Sequence, residues 1–306
     1  MWVKKGLIYN PKTNSDSWIN NSVLTPQPFL LNDEIIRVYA SFRDKNGIGR
    51  IGFIDLLAKD PSSIVQISKT PVLDLGKPGR FDDNGLLLGD VIRVNEKIYM
   101  YYAAFQLVKN VKFFGFGGLA ISKDNGEHFE RVQENPVLDR CSEALFGRAP
   151  HTVIYENGIF RVWYSVIYDW TYINNIPYPT YDIKYIESSN GIDFPKEGIQ
   201  CIKCNNNEYR IGRPKVRKLA NNKYEMRFTS DTYDKKYRAG YAESSDGINW
   251  VRNDSLCGLS PSEEPEAFDS KQACYPVVCE TKYGNYMFYD GNEMGKAGFG
   301  YAKWEE

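Results

Sequence analysis

Asp90, Arg148, His151, Arg213 and Lys215 stand at matching places in a 306-residue sequence that carries one short pattern five times. The pattern is a Pro or Gly opening an apolar strand, then a polar turn, then a strand rich in Tyr, Phe, Trp and Met. It reads TPQPFLLNDEIIRVYASF from Thr25, LGDVIRVNEKIYMYYAAF from Leu88, APHTVIYENGIFRVWYSV from Ala149, RPKVRKLANNKYEMRFTS from Arg213 and YPVVCETKYGNYMFYDGN from Tyr275. The residue after the Pro or Gly is Gln27, Asp90, His151, Lys215 and Val277 in turn, and the residue two before it is Leu24, Leu87, Arg148, Gly212 and Cys274. The residue directly before it, which includes Arg213 and Tyr275, faces the opposite way from the latter set unless the Pro bends the strand. Carboxyl groups here can move protons, and guanidinium groups can grip phosphate or a sugar carboxylate in bidentate fashion. Two readings compete: a ligand site, or ion pairs that plug the centre of the fold. Burial of charge is costly and gathers where ligand or water meets it, which favours the site.

The elements that must hold these residues are β-strands. A second motif, Ser-x-(Asp/Asn)-Gly-x-x-aromatic, follows the first by about 30 to 40 residues, in GLAISKDNGEHF from Gly118, IKYIESSNGIDF from Ile183 and AGYAESSDGINW from Ala239. A repeat of this length with several short strands predicts a propeller, since each blade can bury its faces only against its neighbours. The expected architecture is all-β: a five-bladed β-propeller of four-stranded antiparallel blades, one domain over residues 1–306. Aromatic content of 14% favours strands, and no window sustains a helical period. Residues 2–9 (WVKKGLIY) read as a strand that completes the last blade beside the C-terminal GFGYAKWEE, closing the ring and removing exposed edges.

Composition narrows the function classes. The formal charge of −1 offers no field for nucleic acid or an anionic membrane. No apolar run approaches a membrane span and MWVKKGLIYNPK has no signal-type apolar core, so the expected location is the cytoplasm. The six cysteines are accordingly expected to be reduced. Cys201 and Cys204 form a lone CxxC in a sequence with two His, which reads as a loop at a blade edge rather than zinc. No motif requires a metal or a cofactor.

The phrases FDDNGLLLGDVI, YEMRFTSD, RAGYAESSDGINW, AFDSKQACYPVV and GNEMGKAGFGYA resemble the five-bladed propellers of the glycoside hydrolase clans that contain families 43, 32, 68 and 130, in a glycosidase-like branch. The likeness runs from about Pro26 to Trp304. It implies three carboxylates at the axial mouth: a base in blade 1, a tuning Asp in a following blade and a Glu acid. Only Asp90 matches. Thr25 and Gln27 stand where the base would, and Arg148 or Gly212 where the acid would. The flanking carboxyl pair that hydrolysis needs is therefore incomplete by position. Acids in the loops before the axial strands can substitute, and Asp83, Glu266 and Asp269 are the candidates to share acid/base roles with Asp90.

The surplus of cations moves the expected substrate toward an anionic sugar. Arg43, Arg148, His151, Arg213 and Lys215 can converge on a phosphate or a sugar carboxylate, with Asp44 beside them and Tyr275 and Trp170 as ring-stacking surfaces. The resemblance implies that some relatives in family 130 are phosphorylases, for which one acid suffices because phosphate is already an anionic nucleophile. Two aromatic insertions, YDWTYINNIPYPTYD with Tyr178 and Tyr181, and FQLVKNVKFFGFGG with Phe113, are expected to form a rim or lid; self-packed loops are the competing reading. Three functions follow: an enzyme that makes or breaks a glycosidic bond to a phosphorylated or acidic sugar, with a saccharide, a sugar phosphate or inorganic phosphate as partner; a non-hydrolytic sugar-binding or glycan-assembly protein; and a protein-binding scaffold.

Overall fold

A computed structural model describes residues 1–13 and 18–306 of the chain. Nearly every described element is a strand; the exceptions are a four-residue helical turn at Asn292–Gly295 and 3-10 turns at Pro11–Thr13 and Asp254–Leu256. After β1 (Trp2–Tyr9), four runs of four antiparallel strands follow in chain order. The first is β2 (Ser22–Asn32), β3 (Ile35–Arg43), β4 (Gly49–Leu57) and β5 (Ile64–Ile67), and the second is β6 (Leu86–Val94), β7 (Lys97–Leu107), β8 (Phe113–Ser122) and β9 (Glu130–Arg131). The third is β10 (Gly147–Glu156), β11 (Ile159–Ile173), β12 (Ile176–Ser188) and β13 (Ile199–Ile202), and the fourth is β14 (Glu208–Lys218), β15 (Tyr224–Thr232), β16 (Arg238–Ser244) and β17 (Val251–Arg252). The last group is β18 (Cys274–Thr281), β19 (Gly284–Asp290) and β20 (Phe299–Trp304), to which β1 adds as the fourth strand, with Trp2 opposite Trp304 and Tyr9 opposite Phe299.

The local sequence explains the hairpins. Asn95, Asn157 and Asn222 sit at φ of 54°, 52° and 60° between the first and second strands of their groups, a conformation that Asn tolerates better than most side chains. The first strands of successive groups touch one another in sequence, β2 with β6, β6 with β10, β10 with β14, β14 with β18, and β18 again with β2. Buried clusters fill the spaces between consecutive groups. Tyr39 and Phe53 pack with Leu88 and Tyr102, Tyr101 with Val162 and Tyr164, and Trp163 with Met226 and Phe228. Each such side chain stabilises the packing by about 1.5–3 kcal/mol on burial.

The Ser-x-(Asp/Asn)-Gly turns tie the groups together. Ser122, Ser188 and Ser244 accept the N–H groups of Gly126, Gly191 and Gly247 at 2.8, 2.9 and 2.9 Å. The carbonyls of those glycines accept hydrogen bonds from the preceding group, from Tyr39 Oη at 3.0 Å, Tyr101 Oη at 2.9 Å and Trp163 Nε1 at 2.8 Å.

One feature departs from separate four-stranded blades. Single parallel bridges, Gly115 to Gly147 and Tyr181 to Arg210, join the second, third and fourth groups into one hydrogen-bonded sheet. Two facing glycines let the backbones approach so closely that a Cβ on Gly147 would lie 2.4 Å from the Gly115 carbonyl oxygen.

Candidate functional site

The five Pro/Gly slots are the places where the first strands lose register with the second. The pairing slips between Leu24 and Gln27, Leu88 and Asp90, Pro150 and Thr152, Gly212 and Lys215, and Cys274 and Val277. An irregularity of this kind bends the strand and re-aims its side chains. Thr25, Arg213 and Tyr275, directly before the Pro, have φ of 57°, 58° and 55°, a strained conformation for non-glycine residues. The consequence is a division between two ends. Ala149, Arg213 and Tyr275 line a cavity of about 470 Å³, whereas Gln27, Asp90, Lys215 and Val277, directly after the slot, line a separate one of about 120 Å³. His151 joins the larger cavity because in its group the slip falls after Pro150, leaving Thr152 to face the smaller one.

The smaller end is largely paired internally, although buried Gln27 Oε1 and Arg227 Nε in its lining have no partner. Asp90 Oδ1 and Oδ2 accept the N–H groups of Val91 at 2.9 Å and Val153 at 2.8 Å, and Lys215 Nζ lies 3.9 Å away. Lys215 also donates to the carbonyls of Gly89 at 2.5 Å and His151 at 2.6 Å. Burial lowers its pKa to about 8, opposed by Asp90, and burial raises that of Asp90, opposed by Lys215. This end fits the plug reading.

The larger cavity is lined by several cations and by no carboxylate among the described residues. Arg213 Nη1 donates to the Leu88 carbonyl at 2.6 Å and to His151 Nδ1 at 3.3 Å, while its buried Nη2 has no partner. Arginine only donates, so Nδ1 of His151 is the acceptor and Nε2–H points to Ser165 Oγ at 2.9 Å. His151 is held neutral, its pKa well below the ordinary value through burial and then the charges of Arg213 and Lys215. In this tautomer it cannot take a proton from Ser165. Arg43 lines the same cavity with no side-chain hydrogen bond or ion pair among the described residues. Burial lowers the pKa of both Arg43 and Arg213. Asp290, fully buried at the end of β19, interacts electrostatically with both, accepts the Thr25 N–H at 3.1 Å and leaves Oδ1 unpaired. Burial raises its pKa to about 8, so near neutral pH it is largely protonated and its charge offsets the two arginines only weakly.

Toward the rim, Arg210 pairs with buried Asp231 at 2.7 Å and lies among Tyr178, Tyr181, Tyr209 and Tyr237. Lys112, Phe113, Tyr178, Tyr181 and Tyr237 complete the wall. The two aromatic insertions are continuations of the β7–β8 and β11–β12 hairpins, and they meet where Phe113 packs edge-on to Trp170, ring centres 5.2 Å apart.

Arg43, His151, Arg213 and Tyr275 are thus brought together, and the other candidates are not. Asp90 and Lys215 face the opposite end. Arg148 donates to the carbonyls of Asp139 at 2.6 Å and Pro195 at 2.9 Å. Trp170 is buried behind Phe113 and Phe146, outside the cavity wall. Asp44 caps its own turn and pairs with Arg50 at 3.0 Å. Asp83 accepts the Gly79 N–H at 2.7 Å in its loop, and buried Asp269 is held by Lys4 at 2.5 Å and Tyr289 at 3.1 Å. Glu266 is exposed in a shallow depression with Leu7 and Lys271. Among the described residues no carboxylate lines the large cavity, and no group of three or more His, Cys, Asp or Glu is arranged to hold a metal. All six cysteines are free thiols. Sequence reasoning passed over Lys112, Arg210, Ser165, Tyr237 and Asp290. The available signal for Arg210 was its place three residues ahead of Arg213 in a strand otherwise read as axial.

No protein-family model matches the sequence. It is 30% identical over 303 residues to Uncharacterized protein Rv1502 of Mycobacterium tuberculosis (strain ATCC 25618 / H37Rv), with 98% of each protein covered. Among solved structures it is similar to a glycoside hydrolase, with a TM-score of 0.70 at 16% identity over 98% of the present protein and 90% of the other. It is also similar to a thermostable family-43 glycoside hydrolase, with a TM-score of 0.67 at 16% identity over 94% and 90%. At these identities the likeness establishes a fold of the family-43 glycoside hydrolase type.

Proposed function

This protein belongs to the family of Rv1502, and we propose that it is a carbohydrate-active protein, a single five-bladed propeller whose large axial cavity binds a phosphorylated or acidic saccharide. The observation that carries this reading is the cavity wall itself: Arg43, Lys112, Arg210 and Arg213 with Tyr178, Tyr181, Tyr237 and Tyr275, and no lining carboxylate among the described residues. Tyrosine faces suit the CH faces of sugar rings, and guanidinium groups suit phosphate or carboxylate. The five strand groups and the cyclic contacts of their first strands support the blade count. Hydrolysis by a carboxyl pair lacks its parts here, because such a pair must flank the scissile bond. Binding without hydrolysis is therefore the primary reading.

A second reading rests on Asp290. In transfer to phosphate, phosphate held by Arg43 and Arg213 would bond to the anomeric carbon as the glycosidic C–O bond breaks and the leaving oxygen takes a proton. Asp290, coupled to both arginines with a pKa raised to about 8, is the candidate donor, although it is buried and not part of the cavity lining. Calorimetric titration with glucose, glucose 6-phosphate and galacturonate separates the possibilities. Binding of the two anionic sugars but not of glucose, lost in Arg43→Ala and Arg213→Ala, is the expected result. Equal binding of glucose would remove the anion argument. Phosphate-dependent turnover abolished by Asp290→Asn would move the assignment to the second reading.

A further inference from the structure

The cavity has two separate places where positive charge exceeds negative. The inner one is Arg43 and Arg213. Arg43 makes no side-chain hydrogen bond or ion pair among the described residues, Arg213 Nη2 is buried without a partner, and the one carboxyl that interacts with both, Asp290, has its pKa raised by burial to about 8. The outer one surrounds the ring of Tyr178, which has Lys235 Nζ at 4.1 Å, Lys112 Nζ at 4.8 Å and the Arg210 guanidinium at 5.7 Å from its centre. One carboxylate, Asp231, serves this trio; it takes Arg210 at 2.7 Å, Lys235 at 2.6 Å and the Tyr209 hydroxyl. Lys112 has no carboxylate partner among the described residues and is exposed. Like charges repel across so short a span, and Arg210 holds the pKa of Lys112 down further after burial.

Between the two places lies aromatic surface. Arg210 sits 5.1 Å from the ring centre of Tyr237, whose hydroxyl is 2.9 Å from that of Tyr275, and Arg213 sits 5.4 Å from the Tyr275 ring centre. The order along the wall is therefore cations, tyrosines, cations. A ligand with a single charge would leave one cluster uncompensated. We infer that the ligand carries two separated anionic groups, one met by Arg43 and Arg213 and the other by Lys112 beside Tyr178, with a sugar ring lying on the tyrosines between them.

This inference rests on the anionic-saccharide reading, and the test keeps the two apart. The full-length protein is titrated with glucose 6-phosphate and glucose 1,6-bisphosphate, and in a carboxylate arm with galacturonate and digalacturonate. The member of one pair with two anionic groups should bind about tenfold or more tightly than the member with one, the gain for a charge-assisted contact. Lys112→Ala, at an exposed side chain, should erase most of that gain, weakening the sugar with two anionic groups far more than the sugar with one. Arg213→Lys should weaken all anionic ligands. Equal affinity within both pairs, or an equal loss for sugars with one and with two anionic groups in Lys112→Ala, overturns the two-anion ligand while leaving the anionic-saccharide reading in place. Failure of every anionic sugar to bind removes both.

Discussion

Asp290 makes the charge of the inner cavity depend on pH. Its ordinary pKa of 3.8 is raised by burial to about 8 in the folded chain, so between those values the folded state holds a proton that the unfolded state releases. Stability from this group is fully present below about 4 and declines as pH rises through 8, with a slope approaching about 1.4 kcal/mol per pH unit. Asp290→Asn should flatten that decline and melt higher than the parent protein at pH 8 and above; identical melting curves against pH for the two would refute the assignment. The same ionisation places a negative charge beside Arg43 and Arg213, so sugar-phosphate affinity should fall from pH 7 to pH 9 in the parent protein and fall less in Asp290→Asn. The sequence showed half of this site. Arg213, His151 and Tyr275 were reachable because they adjoin a Pro that recurs in register. Asp90 and Lys215 were reachable as well, but the register slips at Gly89 and at Pro214 send them to the opposite end, which alternation on a regular strand does not foresee. Asp290 closes a second strand, away from the repeated slot, and nothing local marks its burial.

At the scale of the element, the repeated turn proves to be a latch. The hydroxyl of Tyr101 reaches 90 residues along the chain to the carbonyl of Gly191, Tyr39 spans 87 residues to Gly126 and Trp163 spans 84 to Gly247. The motif was legible as a turn, and its partner was not, because the partner belongs to the preceding group. Two glycines make a controlled test. Gly158 has φ of 79° with nothing within 4 Å of an added Cβ, whereas Gly191 has φ of 72° and an added Cβ would lie 2.5 Å from Tyr101 Oη. Alanine at either carries the cost of the backbone conformation, and alanine at Gly191 must also displace the latch. Denaturant melts should show Gly191→Ala less stable than Gly158→Ala by about 1–3 kcal/mol, the usual cost of overpacking. Equal losses at both would mean that the latch adds nothing to the packing of adjacent groups.

At the scale of the molecule, the strand groups were legible because hydrophobic alternation and turn residues recur, and the order of pairing follows the order of the chain. The bridges from Gly115 to Gly147 and from Tyr181 to Arg210 were not, since a contact of one residue pair leaves no periodic trace. The pairing of β1 with β20 has the largest consequence. It fills six matched positions from Trp2 opposite Trp304 to Tyr9 opposite Phe299, and Tyr9 enters the cluster that holds Ile36, Phe42 and Phe288. Removing residues 1–9 would strip β20 of its outer partner and open the cluster between the last and first groups. That edge is apolar in part, and an uncovered edge invites pairing with another molecule. The truncated protein should therefore lose several kcal/mol of stability, about the cost of a large buried aromatic and its hydrogen-bonded ladder, and should self-associate. A milder variant separates edge protection from core loss. Tyr9→Ala keeps the ladder while emptying the cluster, so it should lower stability by about 3–5 kcal/mol without self-association on sedimentation. A truncated protein that stays monomeric and melts like the parent would show that the first and last groups hold together without the strand that joins them.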